Sequence, residues 1–539
     1  MLLLCCLVLT LPVLALGGTW FSADAQSWAV LRHQWATVLP EHAGTSLALL
    51  VLVGLGVSLV GGATALVVSL FDFPGRRAWE VALLLPLAMP AYVLAYAWTD
   101  TLQYSGPLQS AWRAWSGSSA PLWPDVRTLW GAAVLFTFSL SPYVHLLVRT
   151  ALAERGVHLL EAARLLGCSL PQRIIRVALP LARPALAAGT ALALMETLAD
   201  YGVGSYFGLS TFTTGIYRAW LSMGDRHAAA QLATVLLIVV GALVAAEHHA
   251  QRRLRFASSS APRTQASEAR PHTLRGRARW LAWGVCALPV LIGFVLPVLA
   301  LLRLLWLGGE GSGDEGAPTG LPWARFAQWS LHSFGLAALT AVLATAFALA
   351  LAFAQRQRQG GPALALLGRA AALGYAVPGA VVVIGILGPV GVAQQLWPQV
   401  GVAALFTTTV LGLVYAYLVR FSAVALHSVE AGYARLPRHL DEAARMLGHT
   451  GAALWWRVHQ PLLRRTAGTT ALLVFVDVMK ELPATLVLRP FNHDTLAVIA
   501  NQLARDERLG EAALPCLAIV LVGLVPVLLL HRTTAPAAS

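Results

Sequence analysis

The sequence predicts an all-α polytopic membrane protein with about 12 transmembrane helices in two parallel six-helix repeats. Three observations predict this: an apolar composition, arginine-rich loops that alternate with others, and a polar heptapeptide that occurs twice. Of the 539 residues, 57% are hydrophobic and only 12% charged, and the mean hydropathy is +0.67. Soluble domains carry about 25% charged residues, so most of this surface must face something other than water. Apolar runs near the roughly 20 residues that cross a bilayer core fall at 1–18, 45–69, 79–99, 129–150, 183–207, 230–248, 280–306, 330–354, 364–390, 401–421, 466–488 and 511–531.

The first run resembles a secretory signal in length, but it has no basic start and no clear cleavage site. Shifted by 281 residues it falls on the run 280–306, so it is read as a retained first span. Arginines gather at 76–77, 149–183, 252–279, 356–358 and 420–465, which are alternate loops in the span order. That asymmetry marks the cytoplasmic side and accounts for the net charge of +13 without nucleic acid as a partner. Tryptophans near span ends, among them Trp20, Trp98, Trp130, Trp220, Trp280, Trp306 and Trp329, fit an interfacial belt. The five cysteines show no metal-ligand or disulfide spacing and are read as apolar fillers. No stable metal site is expected.

The repeat is carried by Glu161-Ala162-Ala163-Arg164-Leu165-Leu166-Gly167 and Glu442-Ala443-Ala444-Arg445-Met446-Leu447-Gly448, with Pro180 and Pro461 each 19 residues after the glutamate. An even number of spans per half makes the repeat parallel. The units expected are 1–249 and 280–539, joined by a basic, flexible cytoplasmic linker at 250–279. The run Gly308 to Gly316 reads as a disordered acidic loop on the opposite side. Within the first motif Leu159, Leu160, Ala163 and Leu166 are expected on one helix side, as are Leu440, Ala443 and Met446 in the second. Gly167 and Gly448 then end the helices. Ser169 with Gln172 should cap a second helix, as should Thr450, and each second helix leads through Pro180 or Pro461 into a span. A DNA-reading helix–turn–helix shares this outline but needs a free recognition helix, whereas these are tied to spans at both ends.

The pattern Glu-Ala-Ala, three residues, Gly, nine residues, an aliphatic, one residue, Leu-Pro resembles the EAA loop of ABC importer permeases. The first copy fits throughout, with Val177 as the aliphatic, and the second departs only at Gln460. The stretches Leu194 to Gly202, Asp477 to Thr485, Leu488 to Asn492 and Asp494 to Ala497 resemble the fused two-unit permeases of ferric-iron importers. The resemblance implies a type I ABC importer permease fold in a bacterial inner membrane. It further implies that the loops dock into a cytoplasmic ABC ATPase, a homodimer since one chain holds both halves, with Glu161 and Glu442 facing its basic groups. A periplasmic substrate-binding protein would deliver the cargo. Another small solute (thiamine, a polyamine or sulfate) remains open as cargo, and an ion-coupled secondary transporter is the rival class.

The chain should bind no cofactor: a phosphate-binding loop needs Gly-Lys-Ser/Thr, and the only lysine, Lys480, follows Met479. ATP is therefore expected in the partner subunit, and the chain is not expected to be an enzyme. Inside the membrane, Glu196 and Asp200 in the fifth span match Asp477 and Glu481 in the eleventh at the same spacing of 281. Four residues apart, each pair would share a helix face. With Lys480 they are candidates for an acidic translocation pathway, the competing reading being that they pair or cap helix ends. Tyr201 and Tyr206 are further oxygen donors nearby.

Overall fold

The computed structural model describes residues 2–21, 25–258, 272–309, 323–357, 361–372, 374 and 377–534. Most of the expected linker (259–271) and of the acidic loop (310–322) lies outside the described residues. Apart from turns and loops, the described residues are helical except for one two-residue parallel pairing of Phe71–Asp72 with His272–Thr273. Nine described helices are long and apolar enough to cross a membrane, and a bent pair makes ten. Adding the apolar helix Leu2–Gly18 and the helix Gln460–Lys480 recovers each of the twelve expected spans. Their lipid-facing positions are apolar: Leu55 and Leu59 on the helix Leu39–Leu70 are 68% and 74% exposed.

Several of these runs are broken or bent. The run 79–99 is broken by 92° between Arg76–Ala88 and Ala91–Ser116. Met89 precedes Pro90 and is extended (φ −101°, ψ 116°), since a residue before proline avoids the helical region. The run 364–390 breaks likewise: one helix spans Gly361–Ala372, and Pro378 opens the next, Gly379–Leu396. The run 401–421 splits at Thr409, whose hydroxyl caps Leu411 N–H at 3.2 Å, and the span itself is Val410–Tyr433. The runs 183–207 and 466–488 end their main helices at Ala199 and Lys480, and short helices Gly202–Tyr206 and Pro483–Leu488 follow.

Packing groups the chain into two compact units that cut across the sequence repeats. The first holds Met1–Ala36, Gly215–Leu237 and Pro322–Gln502. Its centre is the mutual packing of Trp323–Arg356, Val410–Tyr433 and Gln460–Lys480. Helix Leu2–Phe21 lies along Gly379–Leu396, where a side chain at Gly385 would strike the Pro12 backbone, and Tyr415 Oη donates to Val8 O at 2.5 Å. The second unit holds Thr37–Thr214, Ile238–Leu321 and Leu503–Ser539. Its centre is the corresponding trio Leu39–Leu70, Leu129–Leu165 and Leu179–Ala199, with Leu296–Gly309 laid against Ala91–Leu102 and Leu509–Thr534. Each repeat thus keeps its three-helix centre and gives its first span to the other repeat's unit.

Candidate functional site

Both motif loops end their first helix in the same way. Gly167 N–H bonds Arg164 O at 3.0 Å and Cys168 N–H bonds Ala163 O at 3.0 Å; Gly448 and His449 bond Arg445 O and Ala444 O at 2.9 Å each. The glycines sit at φ +79° and +82° with open space where a Cβ would go, so it is the left-handed backbone that calls for glycine. Ser169 then forms the expected capping box, its N–H donating to Gln172 Oε1 at 3.0 Å. Thr450 holds the cap position in extended conformation but its side chain makes no capping bond, and Ala453 stands where Gln172 would answer it.

The next turn is wide in both copies. Ile174–Ala178 and Trp455–His459 are π-helical, with Leu179 N–H bonding Ile174 O and Gln460 N–H bonding Trp455 O. Pro180 and Pro461 follow at once. A proline has no N–H and its ring crowds the carbonyl four residues back, and a wide turn relieves that crowding. In the first copy the helix accordingly runs unbroken through Pro180, from Leu170 to Ala199.

Exposure shows which face each loop leaves open. Ala163 and Ala444 are buried, while Glu161, Ala162, Glu442 and Ala443 are exposed. Leu166 and Met446 face outward with their neighbours: Leu165 is 88%, Leu166 83%, Met446 89% and Leu447 77% exposed. Ile175 and Trp456, again 281 residues apart, are 62% and 66% exposed. The second motif buries Asp441 and Ala444 rather than Ala443, because Asp441 is held by Arg356. Its guanidinium donates Nε–H to Asp441 Oδ2 at 2.7 Å and Nη2–H to Oδ1 at 3.1 Å. It also donates to the carbonyls of Leu436 and Pro437 at 3.0 Å and of Tyr433 at 3.4 Å. His459 Nε2 lies 3.4 Å from Asp441 Oδ1, and burial pushes this imidazole below its ordinary pKa.

The intramembrane carboxylates do not form two continuous faces. Asp200 and Glu481 are both extended (ψ 134° and 121°) just past their helices. Each turns forward to cap the next short helix. Asp200 Oδ2 accepts from Val203 N–H at 2.8 Å and more weakly from Gly204 N–H at 3.4 Å. Glu481 accepts from Ala484 N–H at 3.0 Å and from the N–H and hydroxyl of Thr485 at 3.1 and 2.7 Å. Arg420 donates to Glu481 at 3.1 Å, and only 1% of the glutamate side chain is exposed. Glu196, Asp477 and Lys480 are part-buried on the preceding helices, and Tyr201 and Tyr206 are buried. Among the described residues no group of three or more His, Cys, Asp or Glu could hold a metal ion.

Sequence reasoning missed Arg356, Arg420, Asp441 and His459. Asp441 stood beside Glu442 in the motif. Arg356 closes an apolar run of more than twenty residues, a place where arginine usually reports topology alone.

Residues 57–252 match the family described as binding-protein-dependent transport system inner membrane component. With the paired spans and twin loops, the chain is similar along its length to fused two-unit ABC importer permeases, which are transport subunits and not enzymes. It is 24% identical over 499 residues to the Fe(3+)-transport system permease protein FbpB 2 of Haemophilus influenzae, a match covering 92% of this chain and 90% of that one. It is 27% identical over 248 residues to the sulfate transport system permease protein CysT of Escherichia coli, covering 44% and 84%. The molybdenum transport system permease protein ModB of Escherichia coli is 28% identical over 170 residues, covering 31% and 69%.

Proposed function

We propose that the chain carries ferric iron inward across a bacterial inner membrane, driven by ATP hydrolysis in a cytoplasmic ATPase homodimer and supplied by a periplasmic binding protein. The single observation behind the motor is the duplicated loop surface: Leu165, Leu166 and Ile175 recur as Met446, Leu447 and Trp456, all exposed beside an exposed glutamate. Two like surfaces in one chain suit two identical ATPase clefts. Burying one such side chain is worth about 1.5–3 kcal/mol, whereas an exposed ion pair gives about 0.2–1 kcal/mol. The apolar residues therefore supply the affinity, and Glu161 and Glu442 set orientation against basic groups.

The cargo reading rests on the iron-transport relative, whose match runs the length of both repeats, while the sulfate and molybdenum relatives match about one. Those two favour a tetrahedral oxyanion as the second reading. Hard trivalent iron prefers oxygen donors. Glu196 and Asp477, with Lys480 balancing part of their charge, are proposed to line the path, since Asp200 and Glu481 serve as caps. Cells lacking their own iron and sulfate importers, and expressing this permease with its ATPase and binding protein, separate the readings. Labelled iron should accumulate, and Glu196→Gln or Asp477→Asn should reduce uptake several-fold at equal membrane levels. Sulfate uptake without iron uptake overturns the cargo, and uptake that survives an inactive ATPase overturns the motor.

A further inference from the structure

The two docking loops are fastened differently. In the second, the Arg356 guanidinium at the end of Trp323–Arg356 grips the Asp441 carboxylate on the loop helix with two hydrogen bonds. The same group holds the carbonyls of Tyr433, Leu436 and Pro437 in the turn that leads into that helix. Arg356 and Asp441 side chains are only 11% and 8% exposed, and His459 on the π turn beyond the loop closes the cluster at 1%. One side chain therefore ties together the end of the span Val410–Tyr433, the loop helix His439–Met446 and the helix Trp323–Arg356.

The sequence of the first repeat offers no counterpart to these three side chains. Leu160 occupies the place of Asp441 and Ala178 that of His459, by the offset of 281. Ser46 and Ser333 accept the backbone N–H groups of Phe212 and Leu496. Aligning those two serines puts Ser69 where Arg356 stands. An ion pair of the first repeat lies elsewhere: Arg149 Nη2 meets Glu80 Oε2 at 2.8 Å, joining the helix Leu129–Leu165 to Arg76–Ala82.

We propose that Arg356 is a positioning residue that makes the second loop a rigid strut on its span, so that the two loops contribute unequally to coupling. This rests on the docking reading above. A push on His439–Met446 reaches the span Trp323–Arg356 through a bidentate, mostly buried guanidinium–carboxylate pair, a geometry that resists rotation as well as separation. Lysine, a point charge with three rotatable donors, cannot reproduce it.

The test uses the full permease with its ATPase in liposomes, with Cys5 and Cys168 changed to Ser and an environment-sensitive maleimide at Phe491→Cys. Phe491 is 93% exposed in the same unit and far along the chain from the loop. Two quantities are read: ATP hydrolysis, and the change in label fluorescence on adding ATP with vanadate. Arg356→Gln and Asp441→Asn should each retain bound ATPase and at least half of its hydrolysis while losing five-fold or more of the fluorescence change. Arg356→Lys should recover only part of it, and Glu80→Gln in the first repeat should leave it within two-fold of wild type. A fluorescence change at wild-type size in both Arg356→Gln and Asp441→Asn overturns the strut, as does loss of bound ATPase in both, which would make the cluster a docking contact. Failure of the docking reading shows separately, as unchanged ATPase binding when the exposed residues Leu166 and Leu447 are made Asp.

Discussion

Glu481 is buried to 1% exposure of its side chain while receiving three hydrogen bonds from Ala484 and Thr485 and a fourth from Arg420. Removing one partner of such a pair leaves a charge without water or counter-ion, a loss of about 3–5 kcal/mol. Arg420→Gln should therefore lower the thermal unfolding temperature in detergent markedly. The double variant with Glu481→Gln should regain part of the loss, because it removes the stranded charge. Equal unfolding temperatures for Arg420→Gln and wild type would show the pair to be solvated. The sequence displayed the carboxylate but not its partner. Arg420 lies 61 residues away among arginines that all read as topology markers, and only packing distinguishes it.

At the scale of single elements, the twin loops differ in their caps. The first has a reciprocal Ser169–Gln172 pair, and the second has Thr450 with Ala453 in place of the glutamine. A neutral hydrogen bond of this kind contributes about 0.5–1.5 kcal/mol. Gln172→Ala should lower stability by about that amount, and Ala453→Gln should raise it by completing the second box. Opposite shifts in unfolding temperature check both, and a destabilising Ala453→Gln would refute the comparison. The capping box was legible because Ser, Pro and Gln fall at fixed spacings within four residues. The π turns were not: nothing in Ile174–Ala178 or Trp455–His459 signals a wide turn except the proline just after it. The breaks at Pro90 and Pro378 lie inside runs whose hydropathy reads as continuous, so composition hid a kink that the prolines announce only in hindsight.

For the whole molecule, the duplication and the spans were legible because hydropathy and a repeated motif are local signals. The exchange of first spans was not, since no local pattern says which helix Leu2–Phe21 will meet. That exchange predicts that residues 1–249 expressed alone are degraded, because the partner of their first span lies at 379–396, and that co-expressing residues 280–539 restores them. Immunoblots of membranes decide it; a stable lone first repeat would contradict the interleaved packing. The central claim is that the two exposed apolar loop surfaces are where a separate ATPase grips the permease. Copurification of the cognate ATPase with permease carrying both Leu166→Asp and Leu447→Asp, at equal permease yield, tests it most directly. Capture should fall at least ten-fold, with either single change giving an intermediate loss. Undiminished capture by the double variant would contradict the account.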